Sequence, residues 1–187
     1  MMSISDHVIP WAAAQGQPTR CGPFEVEFGY IAGAQRESRL PPDEWKRIKD
    51  KLDKIGGIYV YRDRIRILPY GNSDVDWLNI EERRTKSASY YFFSHRRIFG
   101  AVKLTRQENG HLREKAGREG FQQDKAYRQL KDILENLFEQ LAADFFREAG
   151  EFSEYYSEQR VELERLELAR RRREKQVSTK RKNVAAA

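Results

Sequence analysis

The stretch GIYVYRDRIRILPYG, residues 57–71, carries the strongest strand signal in the sequence. Apolar residues alternate with other residues on both sides of Arg62-Asp63-Arg64, and the apolar set is Ile58, Val60, Ile65 and Ile67. A period of two is the spacing of a half-buried strand, and a short polar break between two such runs is typical of a tight reversal. The stretch therefore predicts a β-hairpin whose second strand ends at Pro69.

A strand and a helix are predicted before this hairpin. Phe24, Val26 and Phe28 alternate with glutamates, which indicates another half-buried strand. Pro41-Pro42-Asp43 is typical of a helix start, and Gly56-Gly57 is typical of a helix end. Between them the apolar residues at helical spacing are Trp45, Ile48, Leu52 and Ile55.

A second strand pair and a long helix are predicted after the hairpin. YYFFS, residues 90–94, and RIFGAVKLT, residues 97–105, are rich in residues that favour strands. From about Gln122 to Phe146 the apolar residues mark one helical stripe, wide enough to pack on a sheet. This order predicts an α+β domain with helices on one face of a mixed sheet containing two hairpins.

The positive charge of the chain is concentrated near its C-terminal end. The formal net charge is +6, which makes nucleic-acid binding one candidate function. Residues 168–182, the basic tail, hold eight basic residues and one acidic residue, a net of +7, so the remainder carries −1. The candidate nucleic-acid contacts in this tail are Arg170, Arg171, Arg172, Arg173 and Lys175. The tail can follow a DNA or RNA backbone, end a solvated helix, or form one side of a dimer seam.

Several other classes of function are not supported by the sequence. The single cysteine, Cys21, rules out an internal disulfide and is interpreted as a small buried residue in a reducing compartment. The three histidines are scattered, so no metal site is predicted, and no phosphate-loop, dinucleotide or triad motif is found. Because no membrane-spanning apolar run and no signal peptide are recognised, we expect a cytoplasmic protein without a membrane partner.

We divide the chain into three parts by composition. Residues 1–22 are a linker rich in proline, glycine and alanine, residues 23–150 are the α+β domain, and residues 151–187 are a charged helical extension. The doubled methionine at the start and the three alanines at the end lead us to expect a piece of a longer protein.

The stretch KAGREG, residues 115–120, is the leading candidate for a functional site. Gly117 and Gly120 bracket Arg118 and let the backbone approach a partner closely. The long helix is predicted to begin just afterwards, so its free N–H groups would add to the positive charge of Arg118 and Lys115. This combination suits a phosphate group. The alternative is an ordinary helix start, in which Glu119 complements the helix dipole and Arg118 forms a surface ion pair.

Five segments together resemble the second domain of GHKL ATPases, the superfamily of DNA gyrase B, the ninety-kilodalton heat-shock chaperone, histidine kinases, MutL and MORC proteins. They are CGPFEVEFGY (21–30), GGIYVYRDRIRILPYG (56–71), DWLNIEERR (76–84), RRIFGAVKLTR (96–106) and LREKAGREGFQQDKAYRQL (112–130). The resemblance extends from about Cys21 to Phe146 and is closest to bacterial relatives of the chaperone and MORC branch. Its most specific parts are YVYRDRIRILPYG and GREGFQQ.

This resemblance implies the transducer fold, which is similar to domain two of ribosomal protein S-five. That fold has a mixed sheet with a left-handed βαβ crossover, and a long C-terminal helix would follow it here. In the chaperone branch an Arg-Glu-x-x-Gln turn brings an arginine to the ATP γ-phosphate, and the matching residues are Arg118 and Gln122. Topoisomerase and MutL relatives use a lysine, so Lys115 is a second candidate, with Gly117 and Gly120 shaping the site.

The ATP-binding half of such enzymes is missing from the sequence. That half uses an E-x-x-x-N helix for Mg²⁺ and the attacking water, and a D-x-G-x-G motif for adenine, and neither occurs here. The resemblance therefore implies that an adjoining or separate GHKL domain holds ATP and Mg²⁺, and that this chain alone is not active. It also implies a homodimer, and it does not identify what the ATPase acts on.

Arg62, Arg64 and Arg66 form a second cationic group in the hairpin. We expect them on one side of it, opposite Ile65 and Ile67, as a solvated strand face. The hairpin tyrosines are expected to pack on the sheet or cover it.

Overall fold

The computed structural model describes residues 11, 18–35, 38, 40–117 and 119–185. Within them the four strands are β1 (Glu25–Tyr30), β2 (Gly57–Arg62), β3 (Ile65–Arg66) and β4 (Ile98–Leu104). The five α-helices are α1 (Pro42–Ile55), α2 (Ile80–Lys86), α3 (Ala88–Tyr91), α4 (Lys125–Phe146) and α5 (Ser153–Ala185). The predicted α+β class is confirmed.

The strands form one mixed sheet in the order β1-β4-β2-β3. Strand β4 lies antiparallel to β1 and parallel to β2, and β3 is antiparallel to β2 at the edge. Parallel neighbours require a long connection that returns the chain to the starting end of the sheet. Helices α2 and α3 lie in that connection between β2 and β4.

The predicted hairpin at residues 57–71 is confirmed. Tyr61 pairs with Arg66 and Arg62 pairs with Ile65, so Asp63 and Arg64 form a two-residue turn. Their φ angles are 50° and 67°, and two positive φ values in succession match the twist of a tight hairpin. Strand β3 has only two residues and lies at the edge of the sheet.

The hydrophobic core lies between the sheet and α4. Alternate residues of the two central strands are almost inaccessible, namely Ile58, Val60, Ile98 and Val102. Helix α4 contributes a stripe at helical spacing, Ala126, Leu130, Leu134, Phe138, Ala142 and Phe145. Cys21 is fully buried with a free thiol, as predicted, and burial raises the pKa of that thiol.

The prediction of a strand over residues 90–94 is wrong. Ala88–Tyr91 is a helical turn, and the Ser87 side chain accepts a hydrogen bond from the Tyr90 N–H at its start. Phe92 then stacks on Phe146 with ring centres 3.8 Å apart, and Phe93 is 2% exposed. Aromatic residues are common in strands largely because strands bury them. Here Phe93 is buried in the loop that follows a helical turn, so the aromatic residues predicted a strand wrongly.

Part of the stretch 71–87, which lies between the two predicted strand pairs, is also helical. Asp76 accepts hydrogen bonds from the Ile80 N–H at 2.9 Å and the Glu81 N–H at 2.7 Å, and α2 starts there. A carboxylate at this position satisfies N–H groups that have no partner inside the helix. Because residues 90–94 are not a strand, the second predicted hairpin is not formed, and β4 pairs with β1 and β2 instead.

Helix α5 follows the turn around Gly150 and differs in character from α4. Its exposed apolar residues are Val161, Leu166, Leu168 and Val177. Among the residues that the structure describes, no helix combines the length and the apolar character needed to cross a bilayer.

Candidate functional site

The turn at residues 115–120, hereafter the turn, is closed by its own backbone. Glu114 and Phe121 form an antiparallel bridge at its base. Inside the base, the Lys115 N–H donates a hydrogen bond of 2.9 Å to the carbonyl of Gly120. These contacts are those of a narrow hairpin-like loop, with Ala116, Gly117 and Glu119 exposed at its tip.

Two further backbone contacts attach the turn to the rest of the domain. The Gln122 N–H donates to the carbonyl of Arg113 at 2.8 Å, which extends the ladder by one step. Leu68, which follows β3, forms a parallel bridge with Glu119. The turn therefore lies beside the edge of the sheet, next to the β2–β3 hairpin.

The structure brings four of the five candidate residues of this site together. Lys115, Gly117 and Gln122 are exposed on the loop, and Gly120 is buried beneath it. Arg118, which the resemblance assigns to the γ-phosphate, lies outside the described residues.

The two glycines of the turn differ in how much space a side chain would have. Gly120 has a φ of 86°, and a Cβ atom there would lie 2.8 Å from the Tyr70 hydroxyl oxygen. At Gly117 a Cβ atom would make only an ordinary van der Waals contact, with the Glu119 Cγ at 3.9 Å. Close approach by a partner, the predicted reason for both, remains a prediction for Gly117, whereas Gly120 is required by Tyr70.

The long helix begins later than the apolar pattern predicts. Helix α4 starts at Lys125, and the Asp124 side chain accepts a hydrogen bond of 3.0 Å from the Tyr127 N–H. The carboxylate occupies one free N–H group and places a negative charge at the positive end of the helix dipole. The helix end is therefore not the source of positive charge expected here, and the exposed cation in the described part of the turn is Lys115.

Tyr70 supports the turn from the core side. Its hydroxyl oxygen accepts a 2.9 Å hydrogen bond from the Phe121 N–H, and its ring stacks on the Phe121 ring at 5.7 Å. Its ring also lies 6.3 Å from that of Tyr127 in α4. Tyr70 thus connects the base of the turn with the first residues of the long helix.

Arg62 supports the turn from the sheet, contrary to its predicted place on a solvated strand face. It is 7% exposed, and its guanidinium carbon lies 5.0 Å from the centre of the Phe121 ring. The period of two from Ile58 through Val60 also places residue 62 on the buried side of β2, so the sequence contained this signal.

The other two arginines of the hairpin are exposed, as expected. Arg66 lies over the Tyr59 ring at 4.5 Å and donates a 2.6 Å hydrogen bond to Asn72 Oδ1. Tyr59 stacks on Tyr61, which agrees with the prediction that these rings cover the sheet.

Asn109 is fully buried, with 0% exposure, and connects two separate segments of the chain. Its Nδ2 donates to the carbonyls of Cys21 at 2.6 Å and Pro23 at 2.8 Å, and its Oδ1 accepts from the Thr105 N–H at 2.8 Å. It joins the segment before β1 to the segment that leads into the turn.

The tyrosines beneath the turn are neutral at ordinary pH. Burial raises the pKa of Tyr70. Burial, and after it the neighbouring Tyr70, raises the pKa of Tyr127. Both hydroxyl groups keep their protons, so the support beneath the turn carries no charge apart from Arg62 and its partner Glu114.

The basic tail lies on α5, away from any core contact in the described region. Arg170, Arg171, Arg172, Arg173 and Lys175 are all exposed. Arg170 donates to Glu174 at 2.9 Å in a surface ion pair. Exposure makes these side chains accessible to a polyanion, and it is also what a solvated helix end shows.

The turn and the residue after it present the Lys115 ammonium and the Gln122 amide to solvent, so they offer positive charge and hydrogen-bond donors. The described residues contain no group of three or more His, Cys, Asp or Glu side chains that could hold a metal ion. No family model, curated protein or solved structure matches the chain.

Proposed function

We propose that the chain is the transducer domain of a GHKL-type ATPase and that the turn contacts the γ-phosphate of ATP bound by an adjoining domain. The proposal starts from the resemblance in GREGFQQ and YVYRDRIRILPYG. The observation that carries it further is the contrast within residues 114–122: Phe121 at the base is buried and the base is hydrogen-bonded, while Lys115, Gly117 and Gln122 are exposed. A supported cationic tip is what a phosphate-contacting element requires.

In this proposal the α+β domain has the transducer fold, with its left-handed βαβ crossover. The mixed sheet, the parallel β2–β4 pair and the long helix after the turn are compatible with it. A cytoplasmic location fits the free, buried thiol of Cys21.

The proposed chemistry assigns this chain the role of completing a site. Arg118 would stabilise charge that develops on the γ-phosphate, Lys115 would add to that field, and Gln122 would orient the phosphate or the attacking water. ATP and Mg²⁺ would be held by the adjoining domain, and this chain alone would not turn ATP over. After hydrolysis and phosphate release, the turn would lose its anionic partner.

The loss of that partner would be passed to α4. The turn is joined through Phe121 and Tyr70 to Tyr127, close to the start of this helix. With 22 residues, α4 is about 33 Å long and leads towards α5. A contact made only with ATP present would bias two arrangements of the adjoining domains, which is how hydrolysis produces movement in a homodimeric ATPase.

The test is ATP turnover by the native protein, isolated with the segment or subunit that supplies the ATP-binding domain. Arg118→Ala should lower kcat by between about 10-fold and 1000-fold while ATP binding stays within about twofold. Glu82→Ala, which removes an exposed ion pair with Lys86 on α2, is the control. An unchanged kcat in Arg118→Ala, or a native protein that does not hydrolyse ATP, would overturn the proposal.

A second candidate function is nucleic-acid binding through the basic tail, without catalysis. It is favoured by one observation, the exposure of Arg170–Arg173 and Lys175 on one continuous helix. Binding to a single- or double-stranded DNA or RNA probe should weaken steeply as salt is raised and vanish when residues 168–182 are removed. A dimer that persists in both Arg118→Ala and the tail deletion, with no probe bound, would favour a dimerisation role instead.

A further inference from the structure

Arg62 makes three hydrogen bonds to the segment that leads into the turn. Its Nη2 donates to the carbonyls of Asn109 at 3.0 Å and Leu112 at 2.5 Å. Its Nη1 donates to Glu114 Oε1 at 3.0 Å. The segment 109–114 is therefore fastened to the end of β2 by one side chain, and Glu114 is the last residue before the turn.

The hydrogen bonds of Arg62 are suited to fixing the orientation of segment 109–114 as well as its distance from β2. A guanidinium is planar and its two terminal nitrogens diverge, so three acceptors fix its plane. The Phe121 ring lies 5.0 Å from the guanidinium carbon, and Phe121 pairs with Glu114 across the base of the turn. Both residues at the base thus touch the same buried cation.

We propose that Arg62 and Glu114 form a positioning pair, which orients the turn so that its cationic residues meet a terminal phosphate at a fixed place. Neither residue touches the phosphate in this scheme. The proposal rests on the proposed function for its purpose, although the fixing of the turn by this pair can be tested without nucleotide.

The two partners differ in a way that makes a clean test available. The Arg62 side chain is 7% exposed, so its removal disturbs the core, whereas the Glu114 side chain is 29% exposed and lies on the loop. Glu114→Ala should therefore leave the domain folded and release the turn. Glu114→Gln keeps an acceptor for Arg62 and should have an intermediate effect.

The first measurement is limited trypsin digestion of this chain, because trypsin cuts after Lys115 and Arg118. Glu114→Ala should raise the cutting rate in the turn by about tenfold, since an ionic hydrogen bond that restrains local opening is lost. Cutting within Arg170–Arg173 of α5 is the internal reference, and Glu82→Ala is the matched variant. Equal cutting rates at Lys115 in Glu114→Ala and the wild type would overturn the proposal.

The second measurement is steady-state ATP turnover in the native protein with its ATP-binding domain. Glu114→Ala should lower kcat about tenfold and leave the KM for ATP within about twofold, because ATP is held elsewhere. Glu114→Gln should recover part of kcat. An unchanged kcat in Glu114→Ala would overturn the positioning role. If the wild type lacks turnover, the proposed function fails, while the digestion still decides whether the pair holds the turn.

Discussion

Arginine occurs in two contrasting regions of this molecule. In the support beneath the turn, Arg62 is 7% exposed and bonds two carbonyls and a carboxylate. In α5, Arg170–Arg173 are exposed on a helix with few apolar residues. Arginine thus connects two segments of the chain in the first region, and it is a solvent-exposed charge in the second.

The difference shows why a count of basic residues is a poor guide to the role of each. The net charge of +6 originates in the tail, yet Arg62, the one arginine that is buried among the described residues, has more influence on the fold than the four in a row. Charges in water interact weakly, whereas a buried charge fixes its partners because leaving them unbonded is costly.

The largest difference is expected between two leucines. Leu134→Ala in α4, at 0% exposure, should lower the free energy of unfolding by about 3 kcal/mol because it leaves a cavity. Leu166→Ala in α5, at 56% exposure, should change it by less than about 0.5 kcal/mol. Urea unfolding followed by circular dichroism measures both, and similar losses in the two variants would mean that α5 is packed in solution.

The next difference is between two arginines. Arg62→Met should cost about 2 kcal/mol, because the carbonyls of Asn109 and Leu112 lose their buried donor. Arg172→Met should cost less than about 0.5 kcal/mol, since its side chain is exposed. Urea midpoints at constant slope give both values. If Arg62→Met leaves the free energy of unfolding unchanged, the buried cation makes no net contribution to stability, as happens with some buried ion pairs.

A smaller effect is expected at high pH. Burial raises the folded-state pKa of Tyr127 above its unfolded value, so its contribution is complete below about pH 10 and is lost as pH rises further. The wild type should lose on the order of 1 kcal/mol between about pH 9 and pH 11 from this residue. In Tyr127→Phe the stability should fall less steeply over that range. Chemical unfolding at several pH values checks this, and parallel curves would contradict it.

The smallest effect is expected from the tail itself. Replacing Arg170–Arg173 together with glutamine should change the free energy of unfolding by less than about 0.5 kcal/mol, because the Arg170–Glu174 pair is exposed. Thermal and urea unfolding both test this. A loss larger than about 1 kcal/mol would show that the tail contacts the folded body.

The elements with a clear periodicity could be predicted from the sequence. The hairpin at 57–71, the helix that ends before Gly56 and the long α4 all repeat their apolar residues at a single period, so a local pattern was sufficient. YYFFS failed because its aromatic residues report burial, and burial is shared by strands and by packed loops. The short helix there depends on the Ser87 cap, which a strand pattern does not reveal.

The candidate site could be predicted in part. Residues 115–122 are contiguous, so their proximity required no knowledge of the fold. The supports beneath them were missed because Arg62 and its acceptors are separated by 47 to 52 residues, and Tyr70 is 51 residues from Phe121. The helix start was placed too early because Asp124, the capping residue, was read as part of the helix. Long-range polar contacts of this kind leave no periodic trace.

The position of β4 in the sheet has a consequence for the order in which a newly made chain can fold. β4 pairs with β1 on one side and with β2 on the other, so neither of these ladders can begin to form until Ile98 has been synthesised. Before that point, the β2–β3 hairpin is the one strand pairing of this sheet that an emerging chain can form. Ribosome-bound chains that stop short of Ile98 should therefore remain without the sheet, however many of their apolar residues are already outside the exit tunnel.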